Sequence, residues 1–162
     1  MDIVNGVKIE NNFEAGSFNL LNPSSWFGRR LTKDTVNILF IDDQYFPIVD
    51  NLAKAGYRVK RLKDVKDVDS PDLQIHDIIF VDYDGVGRNF SETHQGAQLV
   101  KEIKDKYGAA KFVVLYTEQS SIPTETTMSD LFKAADGHMR KSTSEASDFI
   151  KKIEEALTKI KQ

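Results

Sequence analysis

Three short apolar segments constrain the fold of this chain more than any other feature. They are Val36–Ile41, Ile78–Val81 and Lys111–Tyr116, and each is rich in β-branched and aromatic residues. None of them alternates cleanly between apolar and polar positions, which is typical of central parallel strands buried on both faces. Tyr57–Leu62 does alternate and predicts a strand at a sheet edge, whereas Gly137–Arg140 predicts a short fifth strand.

Amphipathic helix patterns occupy the intervals between these segments. Lys63–His76 shows little apolar periodicity, so we expect the second helix to be short or absent. Ser142 and Glu145 predict a capping box at the start of the last helix. Strands that alternate with helices predict βαβ units, a parallel sheet and right-handed crossovers. The three remaining helices are predicted at Phe46–Ala55, Gly96–Tyr107 and Thr124–Ala135.

The composition excludes several classes of protein. The 162 residues have a net charge of −3 and include no cysteine, which excludes disulfides, zinc ribbons and thiol catalysis. The acidic balance argues against nucleic-acid binding. No apolar segment approaches the roughly 18 residues of a spanning helix, and the N-terminus lacks the pattern of a signal peptide. We therefore expect a cytoplasmic protein that binds neither nucleic acid nor membrane.

Residues 1–34 differ in composition from the rest of the chain. They are rich in Asn, Ser and Gly, with scattered aromatic residues such as Phe13 and Trp26. We interpret 1–34 as an N-terminal extension and 35–162 as the folded domain. Two roles for the extension stay open, because it is either an arm packed on the domain or a segment that docks a partner.

Chemically active side chains follow four of the five predicted strands. Asp42 and Asp43 follow the first, Asp82 the third, Thr117 the fourth and Lys141 the fifth. The carboxyl ends of parallel strands meet at one edge of the sheet, so these side chains should converge there. Three close carboxylates need a counter-charge, which a hard cation such as Mg²⁺ supplies through oxygen ligands. Asp82 is then a carboxylate nucleophile able to form an acyl phosphate.

The chain resembles the receiver domain of two-component response regulators between about Asn37 and Ile160. The matching residues are NILFIDD, IIFVD, VVLYT and AADGHMRKS, together with Gly56-Tyr57. The resemblance implies a doubly wound α/β fold with a five-stranded parallel sheet of order 2-1-3-4-5. It also implies a phosphoacceptor module of a phosphorelay, which signals rather than catalyses. Self-phosphorylation from small donors and autodephosphorylation are compatible with that role.

The resemblance also implies a role for each site residue. Asp82 would be the phosphoacceptor. Asp43 would bind Mg²⁺ directly, Asp42 would bind it through water, and the backbone carbonyl of Asp84 would complete the protein ligands.

Two further residues follow from the same comparison, and so do the partners. Thr117 and Lys141 would bind the phosphoryl group, and His138 would be the aromatic residue that rotates with Thr117 in the switch. The implied phosphodonor is a histidine kinase or phosphotransfer protein, and an unidentified downstream protein would receive the signal. A homodimer is compatible with the resemblance. His76 and His94 match no functional position, and we expect both at the surface.

Several features depart from the receiver pattern. The segment between Asp82 and the next helix is about five residues longer than usual, around Val86–Gln95. Glu118 follows Thr117 where the family prefers a tiny residue, and Ser142 replaces the usual proline, which makes a cis peptide bond there unexpected. These differences keep open a pseudo-receiver that binds a partner without being phosphorylated.

A phosphatase of the haloacid dehalogenase type is the rival interpretation. The sequence IIFVDYDGV at Ile78–Val86 resembles its nucleophile motif, with Asp82 as nucleophile and Asp84 as general acid/base. That family places its Mg²⁺-binding acidic pair after the lysine, whereas Asp42 and Asp43 precede the nucleophile here. Flavodoxin-like cofactor binding is disfavoured, because Asp-Asp-Gln after the first strand would repel a phosphate.

Overall fold

Parallel strands alternate with helices along the chain, as the apolar segments predict. The computed structural model describes residues 30–118 and 126–161. All five strands pair in parallel in the order β2-β1-β3-β4-β5, which confirms the predicted fold class. The strands are β1 (Asn37–Ile41), β2 (Arg58–Leu62), β3 (Ile78–Asp82), β4 (Phe112–Thr117) and β5 (Gly137–Arg140).

Five α-helices connect the strands or follow them. They are α1 (Pro47–Lys54), α2 (Pro71–Ile75), α3 (Gln95–Tyr107), α4 (Thr126–Ala134) and α5 (Ala146–Lys159). A single 3₁₀ turn at Gly108–Ala110 joins α3 to β4. Helix α2 is only five residues long, as expected from the weak periodicity of its segment. Of the predicted fourth helix, Thr124 and Glu125 lie outside the described residues.

Alternate residues of each central strand enter two different hydrophobic clusters. Leu39, for example, packs with side chains of α2, α3 and α4, whereas Phe40 packs with side chains of α1 and α5. Every residue of β3 and β4 is buried, while the residues of β2 at the sheet edge are exposed or partly buried. Both faces of the sheet are therefore covered, and its carboxyl edge is the place where polar side chains gather.

Two local predictions were wrong. The capping box of α5 is formed by Glu145 and Asp148 rather than by Ser142 and Glu145, because the helix begins only at Ala146. His76 is buried rather than at the surface. Its ring contacts the backbone carbonyl of Asp72, and its own carbonyl accepts a hydrogen bond from the buried Lys111 ammonium at 2.7 Å.

The described residues from Leu31 to Lys161 belong to one compact unit. Apart from its last residues, the predicted extension 1–34 lies outside the described residues, so its role stays a prediction. No cis peptide bond occurs in residues 30–118 and 126–161, which include the bond between Lys141 and Ser142. Among the same residues, no helix is both long and apolar enough to cross a membrane.

Candidate functional site

The register of the parallel strands brings the predicted site residues to one edge of the sheet. Ile41 is the partner of Val81 in the ladder, so Asp42 and Asp82 follow at the same level on neighbouring strands. Thr117 ends β4, and its carbonyl accepts a hydrogen bond of 2.9 Å from the backbone of Lys141, just beyond β5. The carboxyl ends of β1, β3, β4 and β5 therefore converge, as the sequence predicts.

Asp42 is completely buried and has a hydrogen-bond donor at each carboxylate oxygen. Its Oδ1 accepts from the backbone N–H of Gln44 at 2.9 Å. Its Oδ2 lies 2.8 Å from the Tyr116 hydroxyl and 2.9 Å from the Lys141 ammonium. Burial alone would raise the pKa of Asp42, but these three donors outweigh it and hold the pKa below its ordinary value.

Asp82 lies beside Asp42 in a different electrostatic environment. Its Oδ2 is 3.0 Å from the Lys141 ammonium, and only 4% of its surface is exposed. Burial, with the negative charge of Asp42 as the next cause, raises the pKa of Asp82 to about 7 although Lys141 opposes the change. Desolvation would lower the pKa of Lys141, but hydrogen bonds to both carboxylates raise it, so the ammonium stays charged.

Asp43 completes a group of three carboxylates. Oxygen atoms of Asp42, Asp43 and Asp82 lie within 4.8 Å of one another, and they form a candidate metal site. Gly85 runs close beside Asp43, since a Cβ at Gly85 would lie 2.5 Å from Asp43 Oδ2. A cluster of carboxylate oxygens is the donor set that a hard cation such as Mg²⁺ prefers, so these residues fit the predicted ion.

A cleft of about 310 Å³ opens above the carboxylates. The inserted segment after β3 and the residue after Thr117 both contribute to its wall, which places Glu118 beside the site as the sequence suggested. The residues that line the cleft are Asp43, Gln44, Asp82, Asp84, Gly85, Arg88, Glu118 and Lys141.

The two predicted switch residues occupy neighbouring strands. Thr117 is 8% exposed at the end of β4 and is not among the residues that line the cleft. His138 is exposed on β5, and its ring stacks on Phe132 with ring centroids 5.8 Å apart. Nε2 of His138 also contacts the backbone carbonyl of Phe132. The structure therefore fixes His138 against α4.

Sequence reasoning missed three residues that shape this site. Tyr116 appeared only as an apolar strand residue, although a buried tyrosine hydroxyl requires a partner. Arg61 donates to the backbone carbonyls of Asp42 at 2.7 Å and Gln44 at 3.2 Å, and so braces the loop after β1. Arg88 stood out only as part of an insertion. The available signal was a basic residue next to Gly87, in a segment that follows Asp82 at the carboxyl edge of the sheet.

Comparison with known proteins defines the fold. A scan against protein-family models found no match, and a search of curated proteins also found none. The first of the similar solved structures is an orphan response regulator of H. pylori, with 18% identity and a TM-score of 0.57. The match covers 78% of this chain and 99% of that one.

Two other solved structures agree with this result. A CheY-like receiver domain from Methanospirillum hungatei has 20% identity and a TM-score of 0.55, over 76% of this chain and 94% of that one. A Burkholderia pseudomallei response regulator has 17% identity and a TM-score of 0.51, over 76% and 74%. The chain therefore has the receiver fold of response regulators, which confirms the fold predicted from the sequence motifs.

Proposed function

We propose that this chain is a phosphoacceptor receiver module in which Asp82 accepts a phosphoryl group. The observation that most supports the proposal is the position of Asp82. It is a buried carboxylate at the end of a central strand, 3.0 Å from an ammonium and grouped with two further carboxylates. A nucleophile, a counter-ion and a candidate cation site are thus combined at one strand edge.

The first requirement of phosphoryl transfer is a bound cation, and four residues would hold it. Asp43, Asp82 and the backbone carbonyl of Asp84 would hold Mg²⁺ directly, and Asp42 would hold it through water. Bound Mg²⁺ supplies positive charge that neutralises the carboxylates and the phosphoryl oxygens. Calcium and a phosphorylated aspartic acid occur together in the similar Burkholderia pseudomallei regulator.

The protein itself contributes positioning and charge. The Asp82 oxygen attacks phosphorus as an ionised carboxylate, and the Lys141 ammonium stabilises both that charge and the oxygens of the transferred group. Asp42 keeps Lys141 in place, because the ammonium bridges the two carboxylates at 2.9 Å and 3.0 Å. Thr117 would bind a second phosphoryl oxygen.

Phosphorylation would act by shifting a conformational population. Contacts from the phosphoryl group to Thr117 and Lys141 would favour the active form. His138, which now stacks on Phe132, would move with Thr117. The donor would be a histidine kinase or phosphotransfer protein, and a downstream protein would recognise the altered surface. We also propose that two copies of the module can form a homodimer.

Intact-mass measurement tests this function. We would incubate the full chain with Mg²⁺ and either phosphoramidate or acetyl phosphate, and we expect a gain of one phosphoryl group. Asp82→Asn should abolish the gain. Asp105→Asn is a matched control, since Asp105 is an exposed carboxylate near the far end of α3 that pairs with Lys101.

The two rival functions predict other outcomes. A pseudo-receiver would show no gain in mass with either donor. A phosphatase would release phosphate from a generic phosphate ester, and Asp84→Ala would abolish that turnover. The receiver is favoured over the phosphatase because Asp42 and Asp43, which precede the nucleophile, lie beside Asp82. Glu145 and Asp148, which follow Lys141, form the capping box of α5.

A further inference from the structure

Arg88 is the charged residue that the inserted segment Val86–Gln95 contributes to the wall of the cleft. It lines the same cleft as Asp82 and Lys141. The proposed phosphoacceptor chemistry assigns it no task. Its side chain is exposed, so an anion that enters the cleft from solvent can reach the guanidinium.

The backbone on either side of Arg88 is firmly anchored. Val86 is completely buried in the core beside α3. Gly87 is buried with φ +72°, and a Cβ there would lie 2.6 Å from the carbonyl oxygen of Gln95. Its N–H donates to Asp64 Oδ1 at 2.9 Å. Only glycine fits this approach, and the next residue is therefore held at the cleft wall.

Further hydrogen bonds close the segment around the same position. The N–H of Gly85 donates to Gln95 Oε1 at 2.7 Å. On the other side of Arg88, the N–H groups of Phe90 and Ser91 both donate to the carbonyl of Gly87, at 3.0 and 3.1 Å. The insertion is thus a folded loop that presents Arg88.

The charges that line the cleft explain why a second positively charged side chain, in addition to Lys141, would help an anion to bind there. Asp43, Asp82, Asp84 and Glu118 line the cleft with negative charge. Lys141 is already engaged by Asp42 and Asp82. A small phosphodonor is an anion, and the carboxylates of Asp84 and Glu118, which are not assigned to Mg²⁺, repel it on its way to Asp82. A guanidinium offers a planar pair of N–H donors that matches two phosphoryl oxygens.

We propose that Arg88 binds the phosphoryl group of the phosphodonor and positions it for attack by Asp82. This inference rests on the proposed function of Asp82. The guanidinium holds two non-bridging oxygens of the donor while the Asp82 oxygen forms its bond to phosphorus. With phosphoramidate as donor, the nitrogen carries three protons as an ammonio group, so it leaves as neutral ammonia with the electron pair of the P–N bond when that bond breaks. Arg88 stays protonated throughout and transfers no proton.

The test is the rate of phosphorylation at increasing phosphoramidate concentration with saturating Mg²⁺. Arg88→Gln removes the charge but keeps a polar side chain of similar length. We expect the second-order rate constant for phosphorylation by phosphoramidate to fall roughly tenfold, mainly because a higher phosphoramidate concentration is needed for the half-maximal rate, as for loss of a hydrogen bond to a charged group. Arg88→Lys should recover part of the loss. Arg58→Gln is the matched control, because Arg58 is an exposed arginine at the start of β2.

The affinity for Mg²⁺ alone, measured by calorimetry, separates donor binding from a structural role. Removal of a positive charge near a cation site should leave Mg²⁺ binding unchanged or strengthen it, whereas collapse of the loop would weaken it. Equal kinetics for Arg88→Gln and Arg58→Gln would overturn the inference, and so would parallel loss of Mg²⁺ and donor binding. A wild-type chain that takes up no phosphoryl group would instead refute the proposed function, and this inference with it.

Discussion

Tyr116→Phe removes one hydroxyl from the least exposed part of the site. The ring of Tyr116 stacks on Phe46 with centroids 5.4 Å apart and meets Phe149 edge-on. Phenylalanine keeps these contacts. The change therefore isolates the hydrogen bond of 2.8 Å from the hydroxyl to Asp42 Oδ2. Burial, with the nearby Asp42 charge as a second cause, raises the pKa of Tyr116 well above its ordinary value, so the hydroxyl is a donor at neutral pH.

The expected loss in the free energy of unfolding is about 2 kcal/mol, the magnitude of a buried hydrogen bond to a charged group. Lys141 and Gln44 still donate to Asp42, which keeps the loss from becoming larger. Tyr45→Phe is the matched control. Tyr45 also donates to a carboxylate, Asp50, but it is 66% exposed, so Tyr45→Phe should lower the free energy of unfolding far less than Tyr116→Phe does.

Urea unfolding followed by circular dichroism, in EDTA, provides the assay. A double-mutant cycle with Asp42→Asn measures the coupling between the hydroxyl and the carboxylate. We expect a coupling energy above about 1 kcal/mol. The reasoning is refuted if Tyr116→Phe is as stable as the wild type, or if its effect is unchanged in the Asp42→Asn background.

Three further predictions concern the carboxylates and the loop beside them. In EDTA, the fold should lose stability as pH rises from about 4 to about 7, because burial raises the pKa of Asp82 from 3.8 to about 7 and the folded state binds the proton more tightly than the unfolded state over that range. Asp82→Asn should remove this loss. At about pH 8 its free energy of unfolding, measured in urea, should exceed that of the wild type by up to about 4 kcal/mol. Equal pH profiles of the two proteins would contradict the prediction. Asp84→Asn should lengthen the half-life of the phosphorylated protein, measured by intact mass, if the exposed Asp84 carboxylate orients water; an unchanged half-life would exclude this role. Gly85→Ala should weaken Mg²⁺ binding at least about tenfold by calorimetry, because its Cβ would lie 2.5 Å from Asp43 Oδ2. Gly108→Ala, which also has a positive φ but open space around it, should bind Mg²⁺ like the wild type.

The fold was predictable because strand periodicity and strand-end chemistry gave the same answer. Burial on both faces marked β3 and β4 as central strands, and the alternation in Tyr57–Leu62 marked the sheet edge. The residues at the carboxyl ends could be located because parallel strands end at one edge. Asp42, Asp82 and Lys141 could therefore be assigned to one site from the order of strands and strand ends along the chain.

Other contacts depend on distances that sequence patterns do not specify. The bond from Tyr116 to Asp42 joins residues that are 74 positions apart. His76 follows α2 directly and is buried, and its carbonyl accepts a hydrogen bond from Lys111, which lies 35 positions away in the sequence. The capping box is formed by Glu145 and Asp148, and glutamate is not a residue type that N-cap preferences favour, so those preferences pointed to Ser142 instead. The roles of Thr117 and His138 in switching stay predictions.

We propose that the phosphoryl group is attached to Asp82 itself. Borohydride reduction of the chain after incubation with phosphoramidate and Mg²⁺, followed by tandem mass spectrometry, identifies the residue, because an aspartyl phosphate is reduced to homoserine. We expect homoserine at position 82, and we expect none there when Mg²⁺ is replaced by EDTA. Homoserine in place of another aspartate would contradict phosphorylation of Asp82. The absence of homoserine from a chain whose strands β1 to β5 are folded would contradict it as well.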